Sequence, residues 1–76
     1  MEMTEIARFW NGRLDDAARA EVFIRRHPNG TFEVQATVAG KNRLVEHLTR
    51  QRAEALAAAL TAGSGWRRVA PARLSR

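Results

Sequence analysis

The sequence predicts an α+β fold, a small three-stranded antiparallel β-meander packed against one C-terminal helix. Three observations lead there. Two runs of alternating apolar residues flank a Pro28-Asn29-Gly30 turn, a third β-like run follows a second turn cluster, and an alanine-rich segment after it carries helix caps.

The first two runs are Glu21–His27 and Thr31–Val38, rich in Val, Ile, Phe and Thr. Period-two alternation over this length marks half-buried strands. The turn sets their register. A two-residue Asn29-Gly30 turn would pair every apolar residue of the second strand with a polar one and waste both faces. A type I turn centred on Pro28 and Asn29, with Gly30 following in the left-handed region as a bulge, satisfies both turn chemistry and pattern. In that register His27 opposes Thr31, Arg25 opposes Glu33, Ile24 opposes Val34 and Val22 opposes Ala36. The inner face becomes Val22, Ile24, Phe32, Val34, Ala36 and Val38. The outer face becomes Phe23, Arg25, His27, Thr31, Glu33, Gln35 and Thr37. On this assignment Phe32→Ala unfolds the domain, whereas Phe23→Ala folds normally.

Ala39-Gly40-Lys41-Asn42 forms the second turn cluster, and Arg43–Leu48 reads as the third strand. Its register is open. Leu44 inward leaves Glu46 between Leu44 and Leu48, Val45 inward brings His47 with it, and a bulge near Glu46 reconciles Leu44 with Leu48. The helix runs from Thr49, its N-cap, to Gly63 as the C′ residue. Ala53, Leu56, Ala57 and Leu60 share one face of it, and Leu48 can staple onto Ala53. Arg50 and Arg52 lie in the first turn, where the helix dipole disfavours cations.

Residues 4–11 read as a short N-terminal helix capped by Thr4 and stopped by Asn11-Gly12, with Ile6, Phe9 and Trp10 along one side; the alternative is a short strand leading into the sheet. Leu14–Ala20 reads as a loop with one helical turn started by Asp15. After the Gly63-Ser64-Gly65 break, Trp66 and Val69 dock as a short last strand or simply cover the core. The expected organisation is a single small domain over 1–70 and a basic, disordered tail over 71–76.

The chain has 76 residues and no cysteine. Domains of this size bury only about 60% of their unfolded surface, so a partner or self-association adds weight to stability. The absence of cysteine removes disulfides and thiolate metal sites. No apolar run approaches the ~20 residues of a bilayer span, and the Met-Glu-Met-Thr-Glu start is unlike a signal peptide. A cytoplasmic protein is the expectation. The net charge of +5 is unevenly placed: residues 1–33 hold five Arg against six acids, and residues 34–76 hold eight basic residues against two acids. A basic half joined to a near-neutral half is the electrostatic footprint of a nucleic-acid binder, and also what an Arg-rich but ordinary surface would give.

No catalytic or cofactor signature accompanies this charge, and the protein is not expected to be an enzyme. His27 and His47 have no cysteine partners and no carboxylate at ligand spacing, so no metal site is expected. Ser64 and Ser75 have no base nearby. Gly63-Ser64-Gly65 lacks the Lys-Ser/Thr of a phosphate loop.

The order hairpin, basic third strand and helix, with Gly30-x-Phe32-x-Val34 in the second strand, resembles the arm-type, AP2-like DNA-binding domains of phage and transposon integrases, over residues 20–62. That resemblance implies a three-stranded sheet on one helix whose exposed sheet face enters the major groove. The chain departs from the family with Leu48 where an aromatic residue usually precedes the helix, with few lysines, and with Glu33 on the face that should meet phosphates.

Two functions follow. In the first the protein binds nucleic acid, DNA rather than RNA. Phe23, Arg25, His27, Gln35 and Thr37 then face the groove, Lys41 and Arg43 adjoin it, and Arg50, Arg52, Arg67 and Arg68 contact phosphate. In the second it binds protein, as a small inhibitor or accessory factor of a phage or mobile element, by strand addition at its open edge or packing of its alanine-faced helix, and the same features suit a homodimer. The placement of the arginines separates the two: one contiguous basic face favours nucleic acid, and a scatter favours a protein partner.

Overall fold

The computed structural model of the protein describes residues 3–69. The tail expected at 71–76 lies outside the described residues, as does the domain end expected at residue 70. The elements are β1 (Thr4–Trp10), β2 (Ala20–Arg26), β3 (Phe32–Val38), β4 (Lys41–Leu48), α1 (Arg50–Leu60) and β5 (Arg67–Val69). They form one five-stranded antiparallel sheet in the order β4-β3-β2-β1-β5, with α1 on one face. The three-stranded meander is therefore corrected. The sheet extends beyond the hairpin through β1, a strand where a short N-terminal helix was expected, and through β5.

The hairpin has the expected register. The His27 N–H donates to Thr31 O at 2.8 Å and the Gly30 N–H to His27 O at 3.0 Å, with Gly30 at φ 91°. Arg25 lies opposite Glu33, Ile24 opposite Val34 and Val22 opposite Ala36. The β3–β4 turn is the two-residue Ala39-Gly40, both at positive φ (52° and 82°), and Val38 pairs with Lys41 across it. This is the backbone twist that two-residue hairpins require.

Two bulges explain what alternation alone misses. In β1, Glu5 lies opposite Arg25 and Ala7 opposite Ile24, so Ile6 is the extra residue. Ala7 and Phe9 then face the core, while Arg8 and Trp10 face the other way, beside Phe23 and Glu21. Phe9 and Trp10 therefore lie on opposite faces, not along one side as a helix would place them. In β4, Val34 pairs with Val45 and Phe32 with Leu48. The irregularity falls at Glu46-His47, where His47 has φ 62°. The bulge is where the sequence places it, but it brings Val45, not Leu44, to the same side as Leu48. Leu44 sits opposite Gln35 and is exposed.

The core is thin. Val22, Ile24, Phe32, Val34 and Ala7 from the sheet meet Ala53 and Ala57 of the helix, with Ile6, Phe9, Ala36, Leu48, Leu56 and Trp66 packed around them. Alanines at the contact let α1 lie close on the strands. Thr49 caps it, its Oγ1 accepting from the Arg52 N–H at 3.2 Å. At the other end Thr61 stops the helix before Gly63. Both its N–H and its Oγ1 donate to Ala57 O, at 3.0 and 2.8 Å. The chain then returns to the far edge through Gly65, whose backbone passes so close to the Asn11 carbonyl that an added Cβ would lie 3.3 Å from it.

Two stability outcomes follow. Phe32→Ala loses about 3–5 kcal/mol, most of what so small a domain has. Ala39→Gly gains about 0.5–1 kcal/mol, because glycine removes the left-handed penalty and returns part of that gain as backbone entropy. Urea unfolding midpoints of the two variants check both signs.

Candidate nucleic-acid interface

The register divides the sheet into a bare face and a helix-bearing face. The outer-face residues read from the hairpin do lie on the bare face, but they do not stand free there. Phe23 is only 8% exposed, close to the 7% of Phe32, although no helix covers it. Its cover is two guanidinium groups, Arg8 at 4.8 Å and Arg25 at 4.9 Å from the ring centroid. The expectation that Phe23→Ala folds normally is corrected for that reason.

The arginines are held in turn by carboxylates. Arg8 donates to both oxygens of Glu5, at 3.0 and 3.2 Å. Arg25 Nη1 donates to Glu33 Oε2 at 2.9 Å and to Gln35 Oε1 at 2.7 Å. His27 Nε2 lies 2.8 Å from Glu33 Oε1. A carboxylate only accepts, so that nitrogen carries the proton. Glu33 is the one buried charged residue among those described, at 3% exposure. The network continues as Gln35 Nε2 donates to Asn42 Oδ1 at 3.2 Å and Thr37 Oγ1 to the same oxygen at 2.6 Å.

Glu46 adds a third group. His27, Glu33 and Glu46 each offer a ligand atom, and these lie within 4.8 Å of one another. The expectation that His27 has no carboxylate at ligand spacing is thus corrected: strand pairing and the β4 bulge assemble what linear spacing does not show. The Arg25 guanidinium on Glu33 opposes a cation there.

The acids Glu5, Glu21, Glu33 and Glu46 all fall on the bare face, where Glu5 pairs with Arg8, Glu33 with Arg25 and Glu21 with Arg19. Arg67 reaches over Trp10 at 5.9 Å. The helix-bearing face is different. Arg26 shares it with its partner Phe32, Lys41 with Val38, Arg43 with Ala36 and Arg68 with Phe9. Arg50 and Arg52 sit on α1 itself. Among the described residues Glu54 is the acid on this side, and it pairs with Arg50 at 3.1 Å in an exposed i,i+4 contact. Grooves on both sides of α1 are rimmed by these cations, Arg50 and Arg68 toward β1, Lys41 and Arg43 toward β4.

The predicted site residues therefore separate into two groups. Phe23, Arg25, His27, Gln35 and Thr37 form an internally bonded layer on the bare face, with Arg67 at its edge. Lys41, Arg43, Arg50, Arg52 and Arg68 gather on the helix-bearing face. Arg26 joins them and was missed, although alternation from Val22 and Ile24 places it on that face. Glu5 and Arg8 were missed because β1 is legible as a strand only with its bulge. No family model, curated protein or solved structure matches the chain.

Arg25→Ala leaves the buried Glu33 without its guanidinium and uncovers Phe23. It lowers stability by about 1–3 kcal/mol. Phe23→Ala costs about 3–5 kcal/mol, as for a core phenylalanine. Arg52→Ala, on the exposed helix surface, stays within about 0.5 kcal/mol. Urea unfolding of the three variants side by side checks that order, and equal stability of Arg25→Ala and Arg52→Ala would refute the network's role.

Proposed function

We propose that the protein binds nucleic acid, duplex DNA before RNA, and that the helix-bearing face makes the contact. The observation that supports this reading is the segregation of cations: Arg26, Lys41, Arg43, Arg50, Arg52 and Arg68 share that face with Glu54 as the acid among the described residues. A concentration of arginine on one side is the arrangement that neutralises a row of phosphates and releases their condensed counterions. The Arg50–Glu54 pair does not oppose this, because an exposed ion pair is worth at most about 1 kcal/mol and exchanges readily for phosphate.

The reading moves the contact surface away from the bare face. Arg25 and Gln35 are the residue types that read base edges, but they bond to each other and, through Arg25, to Glu33. Binding through the helix-bearing cations positions the protein on the backbone without reading sequence. The affinity is accordingly similar for different duplexes of equal length. No helix among the described residues is long and apolar enough to cross a membrane.

Fluorescence anisotropy of a labelled duplex over a salt series tests the proposal. About four to six phosphate contacts give a slope of log affinity against log salt of roughly −3.6 to −5.4. Replacing Arg43, Arg52 and Arg68 together with Ala flattens the slope by roughly 2.7, whereas Arg67→Ala on the bare face leaves it unchanged. Absence of binding to duplex or single strand at tens of micromolar protein and low salt refutes the reading.

A further inference from the structure

The two edges of the sheet are unlike. The β5 edge has three residues, two of them arginine. The β4 edge has eight residues, all exposed except Leu48. Of the large apolar side chains that are exposed, Val38, Leu44, Val45 and Leu60 all lie on β4 or beside it, the last three at 51%, 42% and 42% exposure. Val45, Leu56 and Leu60 line a groove between β4 and α1 with Val34, Ala36 and Arg43. Natural sheets protect such edges or pair them.

The backbone along this edge is available in a definite pattern. His27–Thr31 is a hydrogen-bonded pair, so the odd residues of β3 bond to β2 and its even residues bond to β4. Their partners Lys41, Arg43 and Val45 point their N–H and C=O groups inward to β3. Asn42, Leu44 and Glu46 point theirs outward.

We propose that a second copy of this chain pairs antiparallel along β4, with Leu44 on the two-fold axis. The register follows from chemistry. Residues directly opposite each other share a face, so the pairing must match even with even and odd with odd. Centring on Arg43 sets two guanidinium groups against each other. Centring on Val45 sets Leu44 against the carboxylate of Glu46. Centring on Leu44 puts leucine against leucine and Asn42 opposite Glu46 of the other copy. Asn42 Oδ1 already accepts from Thr37 and Gln35, which leaves its Nδ2 to donate to that carboxylate. Arg43 then lies opposite Val45, its stem over the apolar groove. The bulge at His47 ends the pairing, so the charges and the bulge select one register rather than block the edge.

The product is closed. Each copy uses its β4 once, and the short arginine-bearing β5 edge remains outside, so a two-fold dimer forms rather than a fibre. The axis runs perpendicular to the sheet. Both helices therefore lie on the same side of a continuous ten-stranded sheet, and the two helix-bearing faces become one. The interface does not depend on the nucleic-acid reading, but it doubles the basic surface available to a long duplex.

The test is made without nucleic acid. Sedimentation equilibrium of the full chain at about 10–200 µM gives a mass twice that of one chain. Leu44→Lys sets two ammonium groups face to face and gives a single-chain mass with an unchanged far-UV spectrum. Leu14→Lys, in the β1–β2 loop, leaves the dimer intact. Because the chain has no cysteine, Leu44→Cys provides a direct probe. Paired Cα atoms about 5.5 Å apart lie within disulfide range, so oxidation gives a covalent dimer, while Leu14→Cys under the same conditions does not. A single-chain mass for the unsubstituted protein at about 200 µM overturns the proposal. So does a dimer unaffected by Leu44→Lys, or failure of Leu44→Cys to cross-link.

Discussion

One eleven-residue helix must cover five strands, and it cannot. α1 buries only Ala53 and Ala57, which seats it close to β2 and β3 but leaves the β4 side open and the opposite face of the sheet without any layer. A half-buried antiparallel sheet normally alternates apolar and polar residues and lets water wet the second face. Here that face carries Phe23 in its middle, and a solvated phenylalanine on a chain this small would forgo burial that the domain needs. The solution is a layer made of side chains. Arg8 and Arg25 lie over the ring and supply both apolar stems and cation–π contact. Glu5 and Glu33 then hold the arginines in place.

That arrangement governs where charge is left over. Carboxylates are scarce in this chain, with eight acids against thirteen Lys and Arg. The bare face takes Glu5, Glu21, Glu33 and Glu46, because guanidinium groups packed side by side over an aromatic ring need anions between them. The helix-bearing side keeps Glu54 among the described residues, and its cations stand with little local compensation. The electrostatic asymmetry is thus a consequence of covering a sheet face with ion pairs. Such a basic face would self-repel in an isolated domain, and a polyanion across it relieves the repulsion.

The sequence makes some of this legible and hides the rest for definite reasons. The hairpin register is readable because Pro28, Asn29 and Gly30 specify a turn whose bulge offset brings both apolar sets to one face. The helix start is readable from Thr49. The helix end is not, because the C-cap is Thr61, two residues before Gly63, and a threonine in an alanine-rich run gives no stop signal. The inner and outer assignment of Phe23 is right and its exposure is wrong: alternation reports direction, whereas burial depends on Arg8, which arrives from a strand distant in sequence. The five-strand count is hidden because β1 loses its period of two at Ile6, and β5 is three residues, mostly charged, defined by pairing with Arg8, Phe9 and Trp10.

The β1 bulge that obscures the pattern also makes the charge layer possible, and the β4 bulge closes the core beside it. Ala7 and Phe9 face the core, and in an unbroken strand Glu5 would share their side. The extra residue at Ile6 returns Glu5 to the bare face, opposite Arg25 and within reach of Arg8. In β4, Val45 faces the core, and in an unbroken strand Leu48 would not. The irregularity at Glu46-His47 turns Leu48 inward against Phe32 and leaves the Glu46 carboxylate near Glu33 and His27. Holding His47 at positive φ costs on the order of 1 kcal/mol, offset by burial of Leu48. The β1 bulge thus moves a carboxylate to the face that needs anions, and the β4 bulge brings an apolar residue into the core beside a carboxylate that alternation already places on the bare face. The separation of a self-compensated face from a basic one depends on the single-residue offset at Ile6 as much as on the composition of the chain.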